Sequence, residues 1–248
     1  YDENYLLNDN DERGIVAEAI RIIRSSMSFL IKDSSQVILV TSTTKGEGKS
    51  FIAYNLCKSY KALGKKVILI GADLRNPQVH NFVGVERSNI GLSTFLNDIN
   101  YNNIDEIIYK SKSNSKIDYL LSGSIPPNPS ELLMRPRFKE LLEKLKLSYD
   151  IIIIDSAPLL LVSDTMPLLS LSDLVVYVSR AQYSDKNIFP FIKDVNSRDD
   201  IPPFGLLLNG LITGPKSKYS YAYRYSYKYR YSYNYKYKYN YGYGYGYE

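Results

Sequence analysis

A chain of 248 residues can bury one full-sized α/β core, and its length alone gives no reason to split it into two globular domains. One cysteine, Cys57, and one histidine, His80, exclude an internal disulfide framework and a histidine-rich metal site. The formal charge of +5 is concentrated at the C-terminus, where seven basic residues from Lys216 onward face only Glu248; the near-neutral remainder argues against a globular nucleic-acid-binding domain.

No apolar run is long enough to span a bilayer, and the first residues do not resemble a signal peptide. The chain begins at Tyr1 rather than Met, so the expectation is a soluble segment with room for a membrane anchor upstream. Apolar positions Ile15, Ile20, Ile23, Met27 and Leu30 recur at helical spacing and predict an amphipathic helix over 14–30. Next come a strand over 37–41, a helix from Lys49 to about Leu63, a strand over 67–70 and a helix from about Pro129 to Leu145. Further strands are expected over 151–154, 174–179 and 204–208. Strands without polar alternation, separated by helices, predict a mostly parallel sheet covered on both faces, with its functional edge at the carboxyl ends of the strands.

The last segment is different in kind. Every odd position from 219 to 247 is tyrosine: Tyr219, Tyr221, Tyr223, Tyr225, Tyr227, Tyr229, Tyr231, Tyr233, Tyr235, Tyr237, Tyr239, Tyr241, Tyr243, Tyr245 and Tyr247. The even positions hold Ser, Ala, Arg, Lys, Asn or Gly, so the segment cannot supply a core and is expected to be disordered in isolation. A period of two also suits a sticky, β-prone strand. The organisation expected is a domain over 1–215 and a tail over 216–248.

The run Thr41-Ser-Thr-Thr-Lys-Gly-Glu-Gly-Lys-Ser50 leaves a strand and opens a helix, the context that a phosphate-binding P-loop requires. Small residues let backbone N–H groups wrap phosphates, and the helix N-terminus adds its positive end. Thr43, Thr44, Lys45, Gly46, Glu47, Gly48, Lys49, Ser50 and Phe51 form the candidate nucleotide site, with ATP and Mg²⁺ as its ligands. Lys49 would reach the β- and γ-phosphates, and the Ser50 hydroxyl would ligate Mg²⁺. The first position of the usual pattern is Thr43 instead of Gly. The bland alternative is a Gly-rich turn before an ordinary helix. Phosphoryl transfer also needs carboxylates at strand ends. Asp155 ends one strand and Asp73 follows another, so these two, with Ser50, form the candidate metal set, and Lys49, Asp73 and Asp155 the catalytic set.

These motifs resemble those of the bacterial tyrosine kinases that govern capsule and exopolysaccharide export. Ile68-Leu-Ile-Gly-Ala-Asp-Leu-Arg-Asn-Pro77 is similar to the family's second Walker motif, Ile152-Ile-Ile-Asp155-Ser-Ala-Pro158 to its Walker B, and 121–133 to the loop that opens the preceding helix. Glu18, Arg21 and Arg24 match its E-x-x-R-x-x-R helix, and the tyrosine cluster completes the set. The resemblance implies a P-loop fold, autophosphorylation of the tail tyrosines in trans, and a homo-oligomeric ring contacted through Glu18, Arg21 and Arg24. It implies Asp73 as base or orienting group and Asn209 as an adenine contact. It also implies a membrane-anchored activator, a cognate tyrosine phosphatase and a location at the cytoplasmic face of the membrane; no nucleic acid is expected. The chain departs from the family at Gly71, where the first Asp of D-x-D is usual, with Asp164 as a possible substitute, and at Lys45, where Pro is frequent. Two rivals remain. One is a ParA/MinD-like ATPase switch, whose signature lysine would fall at Thr44. The other is a catalytically weak scaffold whose basic, tyrosine-rich tail binds anionic partners.

Overall fold

The computed structural model describes residues 14–31, 37–101, 103–110, 117–160 and 163–211. Contacts divide the chain into a unit ending at Asn209 and a second from Gly210 to Glu248, of which only 210 and 211 are described. The fifteen tail tyrosines therefore lie outside the described residues.

Helix α1 (Ile15–Met27) precedes strand β1 (Val37–Ser42), helix α2 (Lys49–Lys61) and strand β2 (Val67–Gly71). Short helices α3 (Val79–Val83) and α4 (Leu92–Asn97) lead to strands β3 (Ile108–Lys110) and β4 (Asp118–Leu120). Then come α5 (Pro129–Met134), α6 (Pro136–Lys146), β5 (Ile151–Asp155), α7 (Met166–Leu169), β6 (Leu174–Arg180), α8 (Phe189–Asn196) and β7 (Phe204–Asn209). The sheet order is β3-β4-β2-β5-β1-β6-β7, parallel except where β3 runs against β4. The expected mostly parallel sheet is thus what forms.

Both sheet faces are buried, which explains the unbroken apolar runs. Val37, Leu39, Ile152, Ile154, Val175 and Tyr177 point into one core with Phe138, Leu142 and Ile192 from the α6 and α8 side. Their neighbours Ile38, Val40, Ile151, Ile153, Val176 and Val178 point into the other, with Ile20 and Met27 of α1 and Leu56 and Cys57 of α2. Two differences from the sequence expectation have local causes. The single helix expected from Pro129 is two, because Arg135 precedes Pro136 and takes φ −63°, ψ 141°, a conformation that the proline ring imposes on its predecessor. Strands β3 and β4 are three residues each, too short to show a period in sequence. No helix among the described residues is long and apolar enough to cross a membrane.

Candidate nucleotide and phosphoryl-transfer site

Strands β1, β2 and β5 end side by side, with Val40 and Gly71 both in register with Asp155. That register brings the P-loop, Asp73 and Asp155 to one sheet edge. The backbone is stitched there as well: Ala72 N–H and Asp73 N–H donate to the Asp155 carbonyl at 2.8 and 3.1 Å, and Ser156 N–H to the Val40 carbonyl at 3.1 Å.

The loop over 42–48 turns on Gly46 (φ 91°) and Gly48 (φ 97°), in the left-handed region that side chains disfavour. The first i→i−4 bond of α2 runs from Ile52 to Gly48, so the amides of Lys49, Ser50 and Phe51 have no acceptor within the helix. They stand at its positive end, where anions bind. Phe51 itself turns its half-buried ring toward the α1 and α2 core, leaving only its backbone for a nucleotide.

Lys49 Nζ lies 3.3 Å from Asp73 Oδ2, with both side chains less than a tenth exposed. The other oxygen of Asp73 accepts from the Asn76 N–H at 2.9 Å, which fixes the carboxylate. Asp155 is fully enclosed, and its oxygens make no well-formed hydrogen bond, though the Ser50 hydroxyl stands near enough to stabilise its charge. Burial pushes its pKa up to about 6; the Lys49 ammonium and the Ser50 hydroxyl oppose that rise, and the Asp73 charge adds to it. A buried carboxylate without a well-formed hydrogen bond, beside a P-loop hydroxyl, suits a cation. Among the described residues no cluster of three or more His, Cys, Asp or Glu could hold a metal by itself.

The P-loop is held from β6 and β7. Arg180 Nη1 donates to the Gly46 carbonyl at 3.0 Å, Tyr183 Oη to the Lys45 carbonyl at 2.8 Å, and Asn209 Nδ2 to the Glu47 carbonyl at 2.9 Å. The Glu47 carboxylate is fully buried and accepts from the Thr44 N–H at 2.7 Å and from the Ser184 hydroxyl. Thr43 Oγ1 and Tyr177 Oη pair at 3.0 Å, and burial raises the Tyr177 phenol to about 12, keeping it protonated. The side chains of Glu47 and Thr43 therefore brace the loop from within, while that of Lys45 is exposed.

Several expected roles shift. Asp164 is buried and takes a two-point bond from Arg75 (2.6 and 3.1 Å) and another from the Ser130 hydroxyl, so in this structure it pairs with Arg75. Gly71 is closed off: a Cβ there would stand 2.9 Å from Ser122 Oγ and 3.3 Å from Val79 Cγ2. In the α1 motif, Arg24 bonds to the Ser59 carbonyl and, at 2.8 Å, to its hydroxyl, whereas Glu18 and Arg21 pair at 2.7 Å within the helix. Sequence reasoning missed Ser122, Arg180, Tyr183 and Ser184. Gly71 was the one clue to Ser122; the others are more than 130 residues from the loop they hold and left no local signal.

Comparison with known proteins follows the same lines. Residues 35–200 match a family model described as an AAA domain. A putative tyrosine-protein kinase in the cps region of Klebsiella pneumoniae is 35% identical over 217 residues, 86% of this chain but 29% of that protein. The chain thus spans under a third of that relative's length. The tyrosine-protein kinase YwqD of Bacillus subtilis is 32% identical over 210 residues, 84% of this chain and 87% of that one. The kinase domain of the Escherichia coli tyrosine kinase ETK superposes with a TM-score of 0.77 at 27% identity, covering 98% of this chain and 85% of that one.

Proposed function

The chain belongs to the bacterial tyrosine-protein kinases, and on that footing we propose that it transfers the γ-phosphoryl group of ATP to the tyrosines of its own C-terminal tail. The observation that carries this reading is the Lys49–Asp73 pair beside the buried carboxylate of Asp155 at the mouth of the P-loop. Lys49 is positioned to exchange Asp73 for the β- and γ-phosphates. Freed of its ammonium partner but still tethered by Asn76, Asp73 can accept the phenolic proton. A tyrosine hydroxyl has a pKa near 10, so it has to be held in line while its proton leaves. The residues that would hold Mg²⁺ are Ser50, Asp73 and Asp155, directly or through water, and the ion would neutralise charge on the phosphates. Asn209 would border the adenine while it braces the loop.

The domain over 1–215 would act on the tail over 216–248 of a neighbouring copy. About thirty residues at roughly 3.3–3.6 Å each extend on the order of 100 Å, enough to reach a second site. In this reading the copies assemble as a ring through the α1 face that carries Glu18, Arg21 and Arg24. A membrane-anchored activator would hold them at the inner face of the membrane, a phosphatase would reset the tail, and the cycle would regulate polysaccharide synthesis or export. Each phosphate adds about −1.5 to −2 charges, so three or four cancel the net positive charge of the tail and further ones make it acidic, which would loosen the ring. Intact-mass analysis after incubation with Mg²⁺ and ATP, beside a Lys49→Met control, tests the core of the proposal. Stepwise phosphate additions within 219–247, missing from the control, are expected; nucleotide binding with no added mass would favour the ATPase switch.

A further inference from the structure

Among the described residues, Tyr109 and Tyr183 are the exposed tyrosines, and only Tyr183, 55% exposed, stands in a turn instead of a strand. Its hydroxyl donates to the Lys45 carbonyl at 2.8 Å, and its oxygen would be 3.0 Å from a Cβ on Gly46. The Arg180 guanidinium stands 5.4 Å from its ring centroid while donating to the Gly46 carbonyl. The preceding residue, Gln182, has φ 59°, a backbone conformation uncommon for a side-chain-bearing residue, so Tyr183 follows a strained corner. Tyr183 is followed by Ser184, a pairing that recurs in the tail at 219–220, 225–226 and 231–232.

We propose that Tyr183 is a second phosphoacceptor, modified by another copy of this chain, and that its phosphorylation releases the P-loop and lowers affinity for ATP. The inference rests on the kinase reading above. The phenolic oxygen bonds to the γ-phosphorus as the bond from that phosphorus to the β–γ bridging oxygen breaks. ADP leaves, and the phenolic proton passes to a carboxylate of the catalysing copy. The product is an aryl phosphate with about −1.5 to −2 charges. It has lost the O–H that donated to Lys45, and it puts a dianion beside a loop built to receive phosphates. It also attracts the Arg180 guanidinium away from the Gly46 carbonyl, since charge-assisted pairing with phosphate is stronger than a bond to a neutral carbonyl. Two of the ties holding the loop are thereby undone by one modification. The tail can be filled while the site is open, and filling Tyr183 closes it.

The test uses the full chain. Wild type and Tyr183→Phe are each incubated with Mg²⁺ and ATP, freed of nucleotide, mapped for phosphate by peptide mass, and titrated with a fluorescent N-methylanthraniloyl derivative of ATP. Phosphate on Tyr183 is expected, with treated wild type binding the probe at least ten-fold more weakly than untreated. Treatment of Tyr183→Phe should change its affinity less than two-fold, which separates this effect from the charge of the tail. Tail phosphate without phosphate on Tyr183 would overturn the proposal, as would modified Tyr183 with unchanged probe affinity. Absence of phosphate on every tyrosine would overturn the kinase reading itself.

Discussion

Ser122 Oγ donates to the Gly71 carbonyl at 2.7 Å and fills the space that a side chain on Gly71 would need. The kinases this chain resembles usually carry an aspartate at that position, so Ser122 and Gly71 form a coupled pair. Gly71→Asp alone should cost about 1–3 kcal/mol through overpacking against Ser122 and Val79. It should not raise the phosphorylation rate. Adding Ser122→Gly should recover a large part of the stability, and thermal melts of the single and double variants check this.

Asp155 gives a pH dependence of definite sign. Its pKa is about 6 in the fold against an ordinary 3.8, so the folded state binds its proton more tightly than the unfolded chain does. The contribution to stability is therefore largest below about pH 4, falls as pH rises to about 6, and is level above that. The full span is roughly 3 kcal/mol at 1.36 kcal/mol per pH unit. In the ligand-free protein, urea unfolding should show Asp155→Asn gaining on wild type by up to that amount between pH 4 and pH 7. An advantage that stays constant across this range would contradict the assignment.

Lys49 and Asp73 should behave as a coupled pair in stability as well as in activity. Lys49→Met leaves a buried carboxylate without its cation, at a cost on the order of 3 kcal/mol. Asp73→Asn in the same chain should return about 1–3 kcal/mol, which a double-mutant cycle measures directly. Neither variant should add phosphate to the tail.

Gly48 sits where two constraints meet. A Cβ there would lie 2.2 Å from Asn209 Nδ2 and would have to adopt φ 97°. Gly48→Ala is expected to abolish ATP binding in calorimetry. Adding Asn209→Ala clears the clash but leaves the backbone strain, so binding should stay at least ten-fold weaker than in wild type.

Arg24 holds α1 to α2 through Ser59. Arg24→Ala should cost about 1–3 kcal/mol and lower the melting temperature by several degrees even in dilute monomer. A melting temperature that falls only at concentrations where oligomers form would instead give Arg24 an intersubnit role.

The sequence by itself determined the sheet and the site's centre. Apolar runs such as Ile151 to Ile154 had to be central strands, because only a sheet covered on both faces buries every residue of such a run. Gly46, Gly48, Lys49 and Ser50 had to form a phosphate loop, since those residue types between a strand and a helix serve little else. Asp73 and Asp155 were legible because strand ends in an α/β sheet share an edge. What surrounds that centre was settled only by tertiary structure. Ser122, Arg180, Tyr183 and Ser184 reach the site from the ends of other strands and the turns that follow them, and Asp164 pairs with Arg75, 89 residues away in sequence. Local propensity records the conformation of a segment, but which distant side chain arrives to fill a gap or hold a carbonyl depends on the packing of the finished sheet.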